Sequence, residues 1–113
     1  MLFHKSPEDI LKLGDKKREK PLLEYLHNKD AALRAAAAAA LSGITSDDAA
    51  NALISALNDP DSSVVKAAAK SLGDMRYRIS TEHLRHVINT TQDEELKQIC
   101  HEAISAILAN PRR

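Results

Sequence analysis

A chain of 113 residues is long enough for one domain with a real core and too short for an ordinary multi-domain enzyme. Its 16 basic and 16 acidic side chains cancel, so no long-range field of one sign draws it toward nucleic acid or an anionic membrane. Three Gly, four Pro, one Phe and no Trp, set against abundant Ala, Leu and Ile, exclude a sandwich or barrel and point to an all-α fold.

Ser6-Pro7-Glu8-Asp9 reads as a helix opening, with a capping hydroxyl, Pro at the first helical position and acids that suit the helix dipole. Before it, Met1 to Lys5 lacks an apolar signal core, and no later stretch is long enough to span a bilayer, so the expectation is a cytoplasmic protein. Ile10, Leu11 and Leu13 follow on a short helix that ends at Gly14-Asp15. Lys16-Lys17-Arg18-Glu19-Lys20 is a solvated turn or first helical turn, and Pro21 to Leu26 carries apolar residues at helical spacing. Asp30 caps the next helix, with Leu33, Ala36, Ala37, Ala40, Leu41 and Ile44 facing inward. Ser46 or Asp47 then caps a helix carrying Ala49, Leu53, Ile54 and Leu57. Asp59-Pro60-Asp61 turns the chain, and Val64, Ala67, Ala68, Ser71, Leu72 and Met75 line the inner face that follows. Beyond the connection Arg76-Tyr77-Arg78-Ile79, Ser80 or Thr81 caps a helix with Leu84, Val87 and Ile88. Asp93 opens the last helix, placing Leu96, Ile99, Cys100, Ala103, Ile104 and Ile107 inside, and Asn110-Pro111 ends it. The lone Cys100 has no partner for an internal disulfide and reads as a core thiol.

These elements repeat. Leu26 to Arg34 recurs as Leu57 to Val65, an offset of 31, and the register carries on to pair Leu41 with Leu72 and Ile44 with Met75. The third unit is offset by 32, from Val64 to Leu96, through one inserted residue near Thr90-Thr91-Gln92. Leu13-Gly14-Asp15 matches Leu72-Gly73-Asp74, so the first helix is the second half of an incomplete unit that caps the stack. The expected organisation is one repeat domain over residues 1–113, with a half repeat at 6–14 and repeats at about 15–44, 45–75 and 80–109.

Ankyrin and tetratricopeptide units have similar periods, but the Thr-Pro-Leu-His turn of the first and the Trp, Leu-Gly and Tyr landmarks of the second are absent. Asp59-Pro60-Asp61, Val64-Val65-Lys66, Ala67-Ala68-Ala69 and Leu72-Gly73-Asp74-Met75 together resemble the short HEAT-like repeats of phycobilisome-lyase-type proteins. Gly14-Asp15 through Pro21-Leu22-Leu23 matches that family's stretch between units. The resemblance implies an α-solenoid of about three stacked helix pairs plus the N-terminal half repeat. It also implies an Arg on each second helix tied to an acidic residue. Arg34 keeps that Arg and Lys97 supplies a cation in repeat three, but Val65 replaces it in repeat two, where the tie is expected to be missing.

Superposing the units ranks the second-helix residues in rows: Arg34, Val65, Lys97; Ala38, Ala69, His101; Ala35, Lys66, Gln98; and Ala39, Lys70, Glu102. The expected binding site is one shallow, mildly basic strip that includes Arg34, Ala38, Val65, Lys66, Ala69, Lys70, Lys97 and His101. Such a strip suits an acidic helix or peptide, and the expected role is a protein-binding module or adaptor without catalysis or cofactor. Alanine propensity and lysine solubility explain the same residues without a ligand.

Other constellations carry less. His101-Glu102 followed by Ala103-Ile104 resembles one ligand pair of the di-iron deoxyhypusine hydroxylases, which would make the chain a metal-dependent or lyase-like enzyme. The equivalent pairs, however, are Ala38-Ala39 and Ala69-Lys70, which ligate nothing. His83 and His86 beside Glu82 have zinc-compatible spacing but no evident third ligand. Lys16, Lys17, Arg18 and Lys20 suggest phosphate contact, as in HEAT-like DNA glycosylases, yet Trp is absent and the balance of charge is neutral, so no nucleic-acid partner is expected. The last helix, with Ile99 and Ile107 on a broad apolar arc, is a candidate for self-association at the end of the stack.

Overall fold

Each repeat begins its second helix with the same local device. The computed structural model describes residues 5–112 and contains α1 (Pro7–Asp15), α2 (Glu19–Tyr25), α3 (Ala31–Ala40), α4 (Asp47–Ala56), α5 (Ser62–Met75), α6 (Thr81–Thr90) and α7 (Glu94–Ala109). Short 3₁₀ turns follow α3 at Leu41–Gly43 and precede α6 at Arg78–Ser80. Ahead of α3, α5 and α7, the backbone N–H of Asp30, Asp61 and Asp93 donates to Asn28 Oδ1 (2.8 Å), Asp59 Oδ1 (2.9 Å) and Thr91 Oγ1 (3.1 Å). The three aspartates then cap their helices, accepting from the N–H of Ala32, Ser63 and Leu96. A short polar residue two positions before the cap thus holds each turn in the geometry that aims the cap. Elsewhere Ser6 forms a full capping box with Asp9, and Ser46 rather than Asp47 caps α4. Contrary to expectation, neither Ser80 nor Thr81 caps α6: the Ser80 hydroxyl turns back to the Tyr77 carbonyl at 2.7 Å, and Thr81 Oγ1 is buried without a partner.

Two layers result. Helices α1, α3, α5 and α7 lie side by side in one, while α2, α4 and α6 cover them from the other and scarcely touch each other. The side-by-side layer is close because small residues stand at its crossings. A Cβ on Gly14 would sit 2.7 Å from the Ala40 carbonyl oxygen, and one on Gly73 would sit 2.8 Å from Ala103 Cα. At the corresponding position between α3 and α5, the buried Ser71 hydroxyl donates to the Ala38 carbonyl at 2.7 Å. Between the layers, Leu22, Leu41, Leu53, Leu72, Leu84, Met75 and Ile107 are fully buried and interlock the helix pairs.

A second device ties helix ends across repeats. Lys17 and Arg76, equivalent residues just beyond α1 and α5, adopt left-handed φ of 55° and 58°. Their backbone N–H groups return to Gly14 and Leu72 carbonyls, closing the helices. Each side chain then reaches the carboxyl end of the next helix in the layer: Lys17 Nζ to Gly43 O at 3.1 Å, Arg76 Nη1 to Asn110 O at 3.2 Å. There a cation meets unpaired carbonyls and the negative end of the helix dipole. The chain end is strapped back on the same spot, with Arg112 donating from its backbone N–H to Arg76 O and from Nε to Met75 O, both at 2.9 Å.

Glycine-to-alanine substitutions test the close approach directly. Gly73→Ala gains about 1 kcal/mol of helix propensity but overpacks a rigid crossing, a cost of roughly 1–3 kcal/mol, so the net effect is destabilising. Gly43→Ala, whose added Cβ meets only Lys17 Nζ at 3.9 Å, is expected to be neutral or stabilising. Thermal unfolding of both variants checks the pair, and equal melting temperatures would show that the crossing has slack.

Candidate binding face

Superposition in space divides the four rows into two kinds. Extended to the half repeat, the row of Ala38, Ala69 and His101 includes Ile10, and the row of Ala39, Lys70 and Glu102 includes Leu11. Ile10, Ala38 and Ala69 are completely buried, and Val65 is buried too. Ala38, Val65 and Ala69, expected from sequence on an exposed strip, are therefore not part of one; they are buried in the core. His101 is exposed. Lys97, one turn earlier, makes only an exposed pair with Glu94 at 3.2 Å. What remains open on the outer side of the layer is the row of Leu11, Ala39, Lys70 and Glu102, with Asp15, Gly43, Asp74 and Ala106 beyond it; of Ala35, Lys66 and Gln98 only Gln98 is exposed and the other two are half-buried.

The cations expected to make this face basic are largely committed. Arg34 spans from repeat one to repeat two, giving Nε and Nη2 to the two carboxylate oxygens of Asp59 at 2.9 and 3.0 Å and Nη1 to Asn28 O at 2.8 Å. Hydrogen bonding from Arg34 holds the Asp59 carboxyl below the ordinary aspartate value, and the same bond raises the guanidinium. The pair is mostly covered, with side chains 15% and 10% exposed, so it is a structural tie and not a partner contact.

In repeat two the tie is not missing, as Val65 led us to expect, but displaced by one residue. Lys66 Nζ lies 2.6 Å from Glu95 and 3.2 Å from Asp93, linking repeat two to the cap of α7. Glu95 first and Asp93 second raise the Lys66 ammonium; Asp93 is lowered chiefly by the Leu96 N–H it caps and then by Lys66. The displacement has a local reason. Thr91 occupies the place of Asp59 and has no charge to offer an Arg at 65, so an apolar Val65 packs there instead. Lys70 alone among these face cations makes no ion pair within the described residues.

Between α5 and α7 the open face dips into a groove of about 390 Å³, floored by Gly73 and Ala103 and walled by Ile99 and Ala106. Lys70, Asp74, Glu95 and Glu102 rim it, so carboxylates outnumber cations there. The signal for this groove was present in the sequence as Leu72-Gly73-Asp74, but its partner wall is set by the register of α7.

The remaining candidates stay apart. His101-Glu102 sits at the exposed end of the stack, where the Glu102 carboxylate accepts from Gln98 Nε2 at 2.9 Å. His83 and His86 lie exposed on α6, where Glu82 is engaged by Arg85 at 2.6 Å. Among the described residues no group of three or more His, Cys, Asp or Glu side chains is placed to hold a metal ion. Nor is any described helix long and apolar enough to cross a membrane. At the carboxyl end Ile107, expected on an apolar docking arc, is fully buried, and Leu108 is the exposed residue instead. The Lys16–Lys20 segment forms the turn into α2, which begins at Glu19.

Comparison with known proteins gives one family. A family model described as HEAT repeats matches residues 19–105. No curated protein matches the chain.

Two measurements follow from the site's electrostatics. Asp59 carries a folded-state value below its unfolded one, as do Asp9, Asp61 and Asp93. The stability they contribute is complete above the unfolded value of about 4 and is lost as pH falls through the folded values. Melting temperature should therefore hold from pH 7 to about 5 and fall steeply below about 4. Asp59→Asn should melt lower at pH 7 and show a shallower acid slope; an unchanged slope would remove Asp59 from the account. Burial alone pushes the Cys100 thiol up to about 11. Cys100 is expected to resist a disulfide reagent at pH 8 until denaturant opens the last repeat, whereas rapid labelling of the native chain would place it at the surface.

Proposed function

The chain belongs to the HEAT-repeat family, and from that premise we propose that it works as a non-enzymatic protein-interaction module that presents the outer face of α3, α5 and α7. The observation that supports this most is the division of the rows. Arg34, Val65, Ala38 and Ala69 build the stack, while the adjacent row of Leu11, Ala39, Lys70 and Glu102 on the same layer is left exposed along its length. A layer held by close crossings and inter-repeat ties offers a rigid surface, so a partner pays little ordering cost to dock on it. Alanines at 35 and 39 permit close backbone approach in the α3 part, and Lys66, Lys70 and Glu102 supply charge in the α5 and α7 part. The surface runs along a slab whose extents are 46 × 29 × 17 Å, long enough for a helix or extended segment of a partner. A scaffold or adaptor role in the cytoplasm accords with this reading.

Blocking the face without touching the ties tests the proposal. Ala39→Arg combined with Gln98→Arg changes two exposed positions, so the fold should melt within a few degrees of wild type. Affinity capture from the native cell should recover partners with wild type and with Glu24→Arg on the opposite layer, and lose them with the face variant. Retention of every partner by the face variant would refute the face.

A further inference from the structure

The expected ligand of a basic strip is an acidic segment, but the groove between α5 and α7 has the opposite character. Its floor is fixed by the contact that Gly73 makes with Ala103, where no side chain can intrude without moving a helix. Ile99 on one wall is only partly covered, and Ala106 on the same helix is exposed. Asp74 and Glu102 stand on the rim in no ion pair among the described residues, against the single ammonium of Lys70, while Glu95 beside them is engaged by Lys66. Lys66, close by, is already neutralised by Asp93 and Glu95. A groove that places apolar contact at its base and net negative charge at its edge repels a phosphate or an acidic peptide. It complements a segment whose small apolar residues enter and whose basic side chains lie against the rim.

We infer that the α5–α7 groove takes a cationic segment of a partner protein, rich in small residues, with lysine or arginine side chains set against Asp74 and Glu102. This rests on the reading of the layer as an interaction face and names the chemistry of its partner. At about 390 Å³ the groove suits a few side chains and not a domain, so the recognised unit is a short helical or extended stretch. Lys70 then acts as a discriminator, admitting a partner with a gap in its positive charge opposite that position.

The test uses the full chain and two fluorescein-labelled helical peptides of equal length, one built of alanine and lysine, the other of alanine and glutamate. Fluorescence anisotropy is expected to show saturable binding of the lysine peptide, weakened by raised salt, and none of the glutamate peptide. The double variant Asp74→Lys and Glu102→Lys alters exposed residues and should keep the helical circular dichroism while weakening the lysine peptide at least about tenfold. Ala106→Arg, which fills the groove sterically, should do the same. Glu24→Lys with Glu82→Lys makes the same change in net charge on the other layer and should leave binding within about twofold.

Equal loss in that control would reduce the effect to overall charge and overturn the proposal. So would no detectable binding of the lysine peptide, equal binding of both peptides, or indifference to the groove variants. Concentration-dependent dimerisation of the chain, abolished by Glu102→Lys, would assign the groove to the Lys16–Lys20 segment of a second copy and overturn the hetero-partner form. If native partners are lost from the Ala39→Arg and Gln98→Arg variant while the lysine peptide fails to bind, the interaction face survives and only the cationic ligand falls.

Discussion

The distance between neighbouring helices of one layer governs the rest of this molecule. Helices α1, α3, α5 and α7 approach until backbone meets backbone, which requires a residue without bulk at every crossing. Gly14 against Ala40, Ser71 against the Ala38 carbonyl, and Gly73 against Ala103 meet that requirement in turn. The large aliphatic residues are thereby sent to the other side of each helix, where Leu41, Leu72 and Ile107 meet the covering helices. Close packing in one layer and loose packing in the other are consequences of the same placement.

Charge is subordinate to that geometry. Once the layer is close, the turn of each repeat lies beside the second helix of the one before, and a long cation can bridge them. Arg34 does so to Asp59, and Lys66 to Asp93 and Glu95. Both bridges withdraw charge of both signs, and around the groove Asp74, Glu102 and Lys70 are left outside any ion pair among the described residues. A neutral composition thus conceals a local excess of carboxylates at the groove, set by which charged groups stand outside the ties.

On α7, Lys97 and His101 occupy positions whose counterparts Val65 and Ala69 are covered, and there polar side chains stand in place of apolar ones. Arg76 and the strap of Arg112 close the carboxyl end of the same helix pair, satisfying carbonyls at Met75, Arg76 and Asn110. Leu108 stays outside while Ile107 turns in, a one-residue difference of 100° on a helix whose apolar spacing from Leu96 to Ile107 already places Ile107 inside.

The sequence by itself determined the helical class, the repeat offsets of 31 and 32 and the caps at Ser6, Asp30 and Asp93, because each depends on local chemistry and spacing. The face of each helix turned toward the core was legible in the same way at Leu72, Cys100 and Ala103. Only the tertiary structure decided which neighbouring rows were covered by the next repeat and which stayed open. Ala38 and Ala39 are both alanine, yet one is buried and the other exposed, since the direction to the adjacent helix is not written in residue type. It also decided the sign of the face. Whether Lys66 serves solvent or spans to Asp93 depends on distances between residues far apart in the chain, and those are set when Gly73 and Ala103 meet.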